Sequence, residues 1–295
     1  MDSDMQKRGA GNKRTGCDLH SHTTASDGMN KPAGNVRLAK EKGLAAVAIT
    51  DHDTVAGLEE GKLAGEQYGI TVVPGVEIST MAGGIDIHIL GYFIQPEDEL
   101  FLQRLSQLRD TREKRNINII ANLNRLGMPV TMDEVIEGLG RELAPDESIG
   151  RPHIADALVR RGFASDMRDA FDRYLAQGKP AYAPQPRISP EEACSWIREA
   201  GGAPVLAHPG LYGDDELVRN ILISAKPAGI EVYHSDHGPS DEQRYMAMAE
   251  ELNLIVTGGS DYHGERQGVV FHGDLGSRTV EVSVLGALSK AAGLH

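Results

Sequence analysis

Histidine and carboxylate residues recur beside short apolar segments in this chain of 295 residues, which contains 11 histidines. His20 and His22 are two positions apart in DLHSHTTASDG. If this segment is a strand, both imidazoles lie on one face and can bind the same ion. Asp261 and His263 repeat the spacing in GSDYHG. Imidazole nitrogens and carboxylate oxygens are ligands of borderline and hard divalent metals, so the two pairs indicate metal binding.

Five further residues of the same chemistry occur along the chain, most of them at the end of an apolar segment. A single histidine in such a place is more often a hydrogen-bonded core residue than a ligand. Nine nitrogen and oxygen ligands at successive predicted strand ends are difficult to attribute to chance, and we interpret them as one metal centre. The candidate ligands are His20, His22, Asp27, His52, Glu77, His88, His208, Asp261 and His263.

Short apolar runs rich in β-branched residues predict the strands that would carry these ligands. The runs are CDLHSH, AAVAIT, TVVPGVEI, IDIHILGYF, APVLAH, GIEVYH and NLIVTGG, mostly separated by helical patterns such as PAGNVRLAKEKG. This alternation predicts an α/β fold with a mainly parallel sheet. Because no glycine-rich dinucleotide fingerprint follows the first strand, a distorted (β/α)7 barrel is favoured over an open sheet. Barrel enzymes carry their active sites at strand ends, where the candidate ligands lie.

The alternation is interrupted at residues 97–186, where helical patterns occur without a strong strand signal. We predict that this segment is an inserted, mainly helical lobe, and that residues 16–96 and 187–295 form the barrel. The basic stretch from Arg104 to Arg125 is typical of a solvated helix face, and the alternative is part of a substrate cap. Residues 1–15 contain basic residues with no apolar segment after them, which predicts a flexible leader and not a signal peptide.

Charge and composition restrict the partners that the chain can bind. The formal net charge of −13 argues against long duplex DNA, because such binding relies on clustered Lys and Arg. A small phosphorylated substrate is compatible with it, since bound cations would reverse the local charge. Cys17 and Cys194 lack the spacing of a thiolate metal site. No apolar run is long enough to span a membrane, and we expect a soluble, cytoplasmic protein.

The ordered motifs resemble those of the PHP (polymerase and histidinol phosphatase) family. The family motifs are HxH with a downstream Asp, TDH, PGxE, a histidine inside a strand, HP after an apolar run, and SDxH. All of them occur here in that order between residues 17 and 264. The chain resembles the stand-alone branch of the family with a helical insertion, which implies a barrel of PHP type and phosphoesterase activity.

The resemblance also implies three divalent metal ions, with manganese favoured and iron or zinc as alternatives. Neighbouring ions would lower the pKa of a shared water, supply a metal-bound hydroxide as the nucleophile and neutralise charge on the phosphoryl group. The three implied ligand sets are His20, His22, Glu77 and Asp261; Glu77, His88 and His208; and Asp27, His52 and His263. Glu77 belongs to the first two sets and would bridge their two ions.

Other polar residues are candidates for substrate contact. Arg151 and His153 in GRPHIADAL could bind a phosphate, and the alternative is a helix cap and a surface histidine. His234 and His237 in EVYHSDHG could donate to phosphate or protonate the leaving oxygen, and His234 is the stronger candidate.

Two aspartates flank His52. Asp51 and Asp53 could orient ligand imidazoles, or they could belong to a plain turn. His272 and His295 have no supporting pattern, so we assign them no role.

The sequence thus predicts a metal-dependent phosphoesterase for a nucleoside monophosphate, a nucleoside 3′,5′-bisphosphate or the 5′ end of a short RNA. An aromatic content of 5% provides few stacking platforms for long single strands, which favours small substrates. One alternative is a metal-dependent amidohydrolase, which also begins with HxH on a barrel strand but commonly has a strand-end lysine not found here. The other is a non-catalytic, metal-stabilised PHP module, against which the intact ligand positions argue.

Overall fold

The computed structural model describes residues 16–266 and 268–294, so that the predicted leader at residues 1–15 and His295 lie outside the described residues. Every predicted strand is present. The strands are β1 (Gly16–Asp18), β2 (Ala46–Ile49), β3 (Thr71–Ala82), β4 (Ile85–Tyr92), β5 (Ala203–Leu206), β6 (Gly229–His234), β7 (Ile255–Gly259), β8 (Glu265–Arg266), β9 (Val269–Val270) and β10 (Val280–Glu281).

Eight strands form one sheet in the order β10-β1-β2-β3-β4-β5-β6-β7. The two ends of the sheet approach each other, because the Leu19 N–H donates to the Gly258 carbonyl at 3.1 Å and Ser21 forms a parallel bridge with Tyr262. The chain segments after β1 and β7 therefore lie side by side. This nearly closed sheet confirms the predicted distorted barrel.

Strand β4 runs antiparallel to both β3 and β5, and β10 runs antiparallel to β1. Only Gly83 and Gly84 separate β3 from β4, and both have positive φ, at 58° and 79°. A two-residue turn of this kind makes a hairpin and leaves no room for the crossover that a parallel neighbour requires. The parallel pairs are β1-β2, β2-β3, β5-β6 and β6-β7.

Helices cover the outside of the sheet and form most of the remaining structure. Their apolar faces pack on the strands in one core, to which Val36, Leu58, Ile197 and Met248 contribute. The helices are α1 (Pro32–Glu41), α2 (Leu58–Tyr68), α3 (Glu99–Arg125), α4 (Met132–Glu137), α5 (Arg151–Arg160), α6 (Met167–Ala170), α7 (Pro190–Glu199), α8 (Asp215–Ala225), α9 (Pro239–Leu252) and α10 (Ser283–Ala291).

Residues 97–186 contain helices α3 to α6 and a π-helical turn at Phe171–Leu175, without a strand. Their side chains form a second apolar cluster, which includes Ile119, Leu123, Ile154 and Leu158. Among the helices of the described residues, none combines the length and apolar character that a membrane-spanning helix needs. Cys17 and Cys194 are both buried and free.

Candidate metal centre

The nine candidate ligands come together at one end of the barrel, although they are spread over more than 240 positions of the sequence. Strand β3 carries Glu77 and strand β4 carries His88, while the others follow strand ends. A cavity of about 280 Å³ opens here. His20 and His22 are fully buried and contact two residues of the cavity lining, Glu77 and Asp261. The ligands that line the cavity are Asp27, His52, Glu77, His88, His208, Asp261 and His263.

Glu77 is the centre of the cluster, because its carboxylate faces the ring nitrogens of five histidines and is only 1% exposed. The distances are 2.8 Å from Oε1 to His88 Nδ1, 3.0 Å to His208 Nε2 and 3.5 Å to His20 Nε2, then 2.9 Å from Oε2 to His52 Nδ1 and 3.2 Å to His22 Nε2.

Two more carboxylates lie on either side of Glu77. Asp261 Oδ1 is 3.1 Å from His22 Nε2 and 3.3 Å from His20 Nε2. Asp27 Oδ1 is 3.3 Å from His263 Nε2, and its Oδ2 is 3.7 Å from His52 Nε2. The structure thus brings the members of each implied ligand set together.

His52 occupies a position between two of these sets. Its Nδ1 faces Glu77 and its Nε2 faces Asp27, so one imidazole reaches both carboxylates. The resemblance implies a place for His52 in the Asp27 set. The geometry also groups it with Glu77 and His88.

The charges in the cluster stabilise one another. Burial opposes ionisation of Glu77, but the nearby His88, His52 and His20 hold its pKa well below the ordinary value. Burial likewise opposes protonation of His22, yet the adjacent carboxylates of Asp261 and Glu77 raise its pKa to about 10. Positive charge placed among these carboxylates is therefore strongly favoured.

Several buried polar atoms of the cluster have no hydrogen-bond partner of acceptable geometry within the described residues. Leaving such an atom unsatisfied costs about 1–3 kcal/mol, so a concentration of them indicates a missing ligand. Ligands about 2.1 Å from one cation lie about 3 Å apart, which matches the separations found here. The residues fit divalent cations. The atoms are His20 Nε2, His22 Nε2, His52 Nδ1, Glu77 Oε2, His208 Nδ1 and Asp261 Oδ1.

The backbone is strained at the same place. Asp53, His208, Asp261 and His272 have positive φ values of 54°, 21°, 54° and 57°. Residues other than glycine rarely adopt this conformation, and the cost is of order 1–3 kcal/mol each unless the surroundings enforce it. Strain of this kind is concentrated at functional sites in proteins.

Glu231 is a component of the site that the sequence analysis did not select. It is fully buried on β6, its Oε1 lies 3.0 Å from His20 Nδ1, and its Oε2 accepts the His208 backbone N–H at 2.9 Å. A carboxylate that holds the far nitrogen of a ligand imidazole fixes its tautomer and orientation. The signal available in the sequence is a glutamate between the apolar residues Ile230 and Val232 of this strand.

We expect Glu231→Gln to weaken metal binding about 10- to 100-fold, the usual effect of removing such a partner. Both carboxylate oxygens of Glu231 act as acceptors, whereas a glutamine amide has one oxygen and one NH2 group. In either orientation of the amide, the NH2 group would face His20 Nδ1 or the His208 N–H, and one of the two contacts would be lost. Competition with a chromogenic chelator measures the affinity, and Glu192→Gln, at an exposed helix cap, is the matched control. Equal affinities for the variant and the native protein would contradict this role.

His272 is a second residue of the site that the sequence did not indicate. It lines the cavity, with Nδ1 2.6 Å from Asp236 Oδ2 and Nε2 3.5 Å from Asp261 Oδ2. The segment after the β8-β9 hairpin brings it there. No local spacing pattern precedes His272, since only the tertiary fold places it near Asp261.

The candidates for substrate contact have different surroundings. Arg151 lines the cavity and its Nη2 lies 3.1 Å from Asp86 Oδ2. His234 is fully buried, and its Nε2 is 3.3 Å from Asp261 Oδ2, which suits a residue that orients Asp261. Both ring nitrogens of His237 are used within the protein, by the Val232 carbonyl and the Gly210 N–H.

His153 has a local structural contact. Its Nδ1 accepts the Gly150 N–H at 3.0 Å at the start of α5, and it is not among the residues that line the cavity. The alternative given above, a helix cap, matches this contact, but the side chain is buried and not on the surface.

Burial lowers the pKa of His153 to about 4, whereas an unfolded histidine titrates near 6.5. The unfolded chain then binds more protons between these values, so stability falls as pH falls from 6.5 towards 4. When the pH is lowered from 7 to 5, we expect the free energy of unfolding to decrease in both proteins. The decrease should be about 2 kcal/mol smaller for His153→Gln, which retains the capping acceptor, than for the native protein. Urea unfolding at both pH values measures the difference, and an identical pH dependence would contradict the assignment.

The two aspartates beside His52 have separate roles. Asp51 accepts from the Thr23 N–H and from the Thr23 and Ser26 hydroxyls, and so fixes the loop after β1. Asp53 accepts the Ser79 N–H at 2.9 Å and forms an ion pair with Arg112. In these contacts Asp51 binds the loop after β1, and Asp53 binds the Ser79 backbone and Arg112. Neither contact orients a ligand imidazole.

Comparisons with known proteins identify relatives of the chain. The family model of the PHP domain matches residues 18–178. The chain is 34% identical to the 3′,5′-nucleoside bisphosphate phosphatase of Chromobacterium violaceum, over 85% of this chain and 88% of that protein. It is 36% identical to the 5′-3′ exoribonuclease Rnm of Escherichia coli, over 83% of this chain and 84% of that protein. A metal-dependent phosphoesterase structure from Bifidobacterium adolescentis has a TM-score of 0.85 at 32% identity and covers 93% of this chain and 96% of that chain.

Proposed function

The chain belongs to the PHP domain family, and on this premise we propose that it hydrolyses a phosphate ester of a small nucleotide or of the 5′ end of a short RNA. The relatives named above are a nucleotide phosphatase and an exoribonuclease, both of which cleave phosphate esters. The chain is accordingly a phosphoric ester hydrolase that depends on divalent metal. The observation that carries the proposal is the set of unpartnered buried ligand atoms around Glu77.

The residues that would hold the ions are the three ligand sets, with Glu77 shared by two of them. Bound divalent cations would supply a water molecule of lowered pKa and neutralise charge on the phosphoryl group. The protein contributes their placement, because the burial of His20 and His22 and the contact of Glu231 with His20 fix these ligands before substrate arrives. Manganese, with iron or zinc as alternatives, is the proposed metal.

Other residues of the cavity suit a nucleotide. Arg151 would pair with phosphate oxygens, for which a guanidinium offers two parallel donors. Phe171 and Phe271 also line the cavity, and an aromatic ring can support a nucleobase without selecting its sequence. Such a cavity accepts one nucleotide or the end of a short strand more readily than a duplex.

The two other functions considered above have less support. The named relatives break phosphate esters, which disfavours an amidohydrolase reaction on a carbonyl group. A non-catalytic module would be expected to lose ligands, whereas all nine positions are intact and lie together. Both alternatives predict that metal-loaded protein releases no phosphate from nucleotides.

The proposal is tested with purified, manganese-loaded protein by measuring release of inorganic phosphate and, for the RNA, release of a nucleoside monophosphate, because cleavage of a phosphodiester leaves the phosphate on the nucleotide. The substrates are nucleoside 5′-monophosphates, nucleoside 3′,5′-bisphosphates, histidinol phosphate and a short 5′-phosphorylated RNA. We expect release from at least one of the nucleotide or RNA substrates and none from histidinol phosphate. Bound metal without release from any of them would favour the alternative functions.

A further inference from the structure

His272 approaches the metal centre through Asp261, a carboxylate whose two oxygens face different histidines. Asp261 Oδ1 lies 3.3 Å from His20 Nε2, and Oδ2 lies 3.5 Å from His272 Nε2. Both distances are in the range of the other ligand pairs of the cluster, such as His20 Nε2 and Glu77 Oε1 at 3.5 Å. His272 belongs to none of the three ligand sets, although its Nε2 is placed as their nitrogens are.

A carboxylate holds the far nitrogen of each of these two imidazoles. Glu231 Oε1 lies 3.0 Å from His20 Nδ1, and Asp236 Oδ2 lies 2.6 Å from His272 Nδ1. Histidines that bind metals usually donate their other ring N–H to a carboxylate or a carbonyl, which leaves the remaining nitrogen free for the ion. His272 is therefore held in the same way as His20, but on the second oxygen of the shared carboxylate.

Asp236 also distinguishes His272 from His234, the other histidine at Asp261 Oδ2. The Asp236 backbone N–H donates to His234 Nδ1 at 3.1 Å, so the hydrogen of that ring lies on Nε2, which donates to Asp261 at 3.3 Å. A ring nitrogen that carries a hydrogen has no lone pair for a cation. The Asp236 carboxylate instead accepts from His272 Nδ1, which leaves the lone pair of the neutral ring on Nε2.

The position of His272 gives an ion access to it. Its side chain is 23% exposed, whereas that of His234 is fully buried. His272 lines the cavity of the metal centre and also an adjoining cavity of about 580 Å³ beside the β8-β9 hairpin. Its φ of 57° is a strained conformation for histidine, and strain of this kind is concentrated at functional sites. His272 can therefore meet a cation that enters from the cavity.

We infer that His272 is a tenth protein ligand of the metal centre, and that it binds a divalent cation together with Asp261 Oδ2. Asp236 is a positioning residue, because it acts on the ion through the imidazole of His272. This inference rests on the proposed function, since it extends the metal centre to which that function is assigned. The cation is either the ion of the first ligand set, which includes Asp261, or a further ion beside it.

The test measures manganese binding to metal-free protein in the absence of substrate, by equilibrium dialysis and by competition with a chromogenic chelator. We expect His272→Gly to weaken the binding of one ion at least about 10-fold. Glycine suits the positive φ at this position, so the backbone is not strained. Asp236→Ala should weaken the same ion about 10- to 100-fold, the usual effect of removing a carboxylate that orients a ligand.

The number of bound ions distinguishes the two forms of the inference. An unchanged number with one weaker ion identifies the ion of the first ligand set, and one ion fewer identifies a further ion. Either result supports His272 as a ligand. Asp274→Asn is the matched control, because Asp274 lies in the same loop and forms an exposed ion pair with Lys42. This control should bind manganese as the native protein does.

Rescue by free imidazole separates a ligand from a residue that only supports the fold. Imidazole should occupy the space left in His272→Gly and restore most of the lost affinity, with no gain in the native protein or in Asp274→Asn. Native manganese binding by His272→Gly would overturn the inference, as would a loss that imidazole does not restore. Because no nucleotide is present, these results are independent of the reaction. Manganese binding through His272 without hydrolysis of any nucleotide or RNA would contradict the proposed function alone.

Discussion

Glu77→Gln is expected to lower phosphate release by at least about 1,000-fold, because several kcal/mol of transition-state stabilisation depend on correctly held cations. The carboxylate contacts five imidazoles and is proposed to bridge two ions. Glutamine has nearly the same volume, but its amide carries no charge and offers one acceptor oxygen in place of two. The measurement is kcat on the best nucleotide substrate, with bound metal determined in the same sample.

The matched control for Glu77→Gln is Glu192→Gln, since glutamine also serves in the exposed capping box at the start of α7. This control should retain native activity and native metal content. A Glu77→Gln enzyme with activity within about 10-fold of the native value would show that the bridging carboxylate is not needed. Circular dichroism checks that the variant is folded.

His22→Ala is expected to abolish measurable turnover and to remove bound metal. The imidazole is fully buried, and its Nε2 lies 3.1 Å from Asp261 Oδ1 and 3.2 Å from Glu77 Oε2. Alanine removes an imidazole that contacts both carboxylates, so an ion bound between them would lose a ligand. We expect a fall of at least about 1,000-fold in kcat/KM and a lower metal content by elemental analysis.

Leu105→Ala is the control for the loss of a buried side chain. Leu105 is fully buried in the main apolar core, and its truncation should cost about 2–5 kcal/mol of stability without altering a ligand. Metal content per folded chain should stay native in this variant. Retained activity of His22→Ala with unchanged metal content would remove His22 from the ligand set.

The strands could be predicted from the sequence because each is a short run of apolar, β-branched residues bounded by helical patterns. The antiparallel direction of β4 is less apparent in such a pattern. The adjacent Gly83 and Gly84 between TVVPGVEI and IDIHILGYF indicate a hairpin, but the general alternation of strands and helices suggested parallel pairing.

The ligands could be selected from the sequence because local spacing carries part of the geometry. His20 with His22, and Asp261 with His263, are pairs whose separation of two places them on one side of an extended segment. Glu231 and His272 depend on contacts across long stretches of chain, with His20 and with Asp261. The contact of His272 leaves no local pattern, and the local signal for Glu231 is only a glutamate within a strand.

The burial of Arg112 and Arg115 could not be predicted from the sequence of α3. The stretch from Arg104 to Arg125 contains charged residues on several sides, which is typical of a solvated surface. Only the packing of α3 over the end of the barrel decides which of these side chains are buried. The position of α3 relative to the barrel is thus a tertiary property of the fold.

The most direct test of the metal centre is stepwise addition of manganese to metal-free protein, with bound metal and phosphate release measured in the same samples. We predict no release without metal, then release that increases with bound manganese and levels off once each of the three ligand sets holds an ion. Full activity of the metal-free protein, or the absence of release from every nucleotide after the ions have bound, would contradict the assignment of this cluster as a phosphoesterase centre.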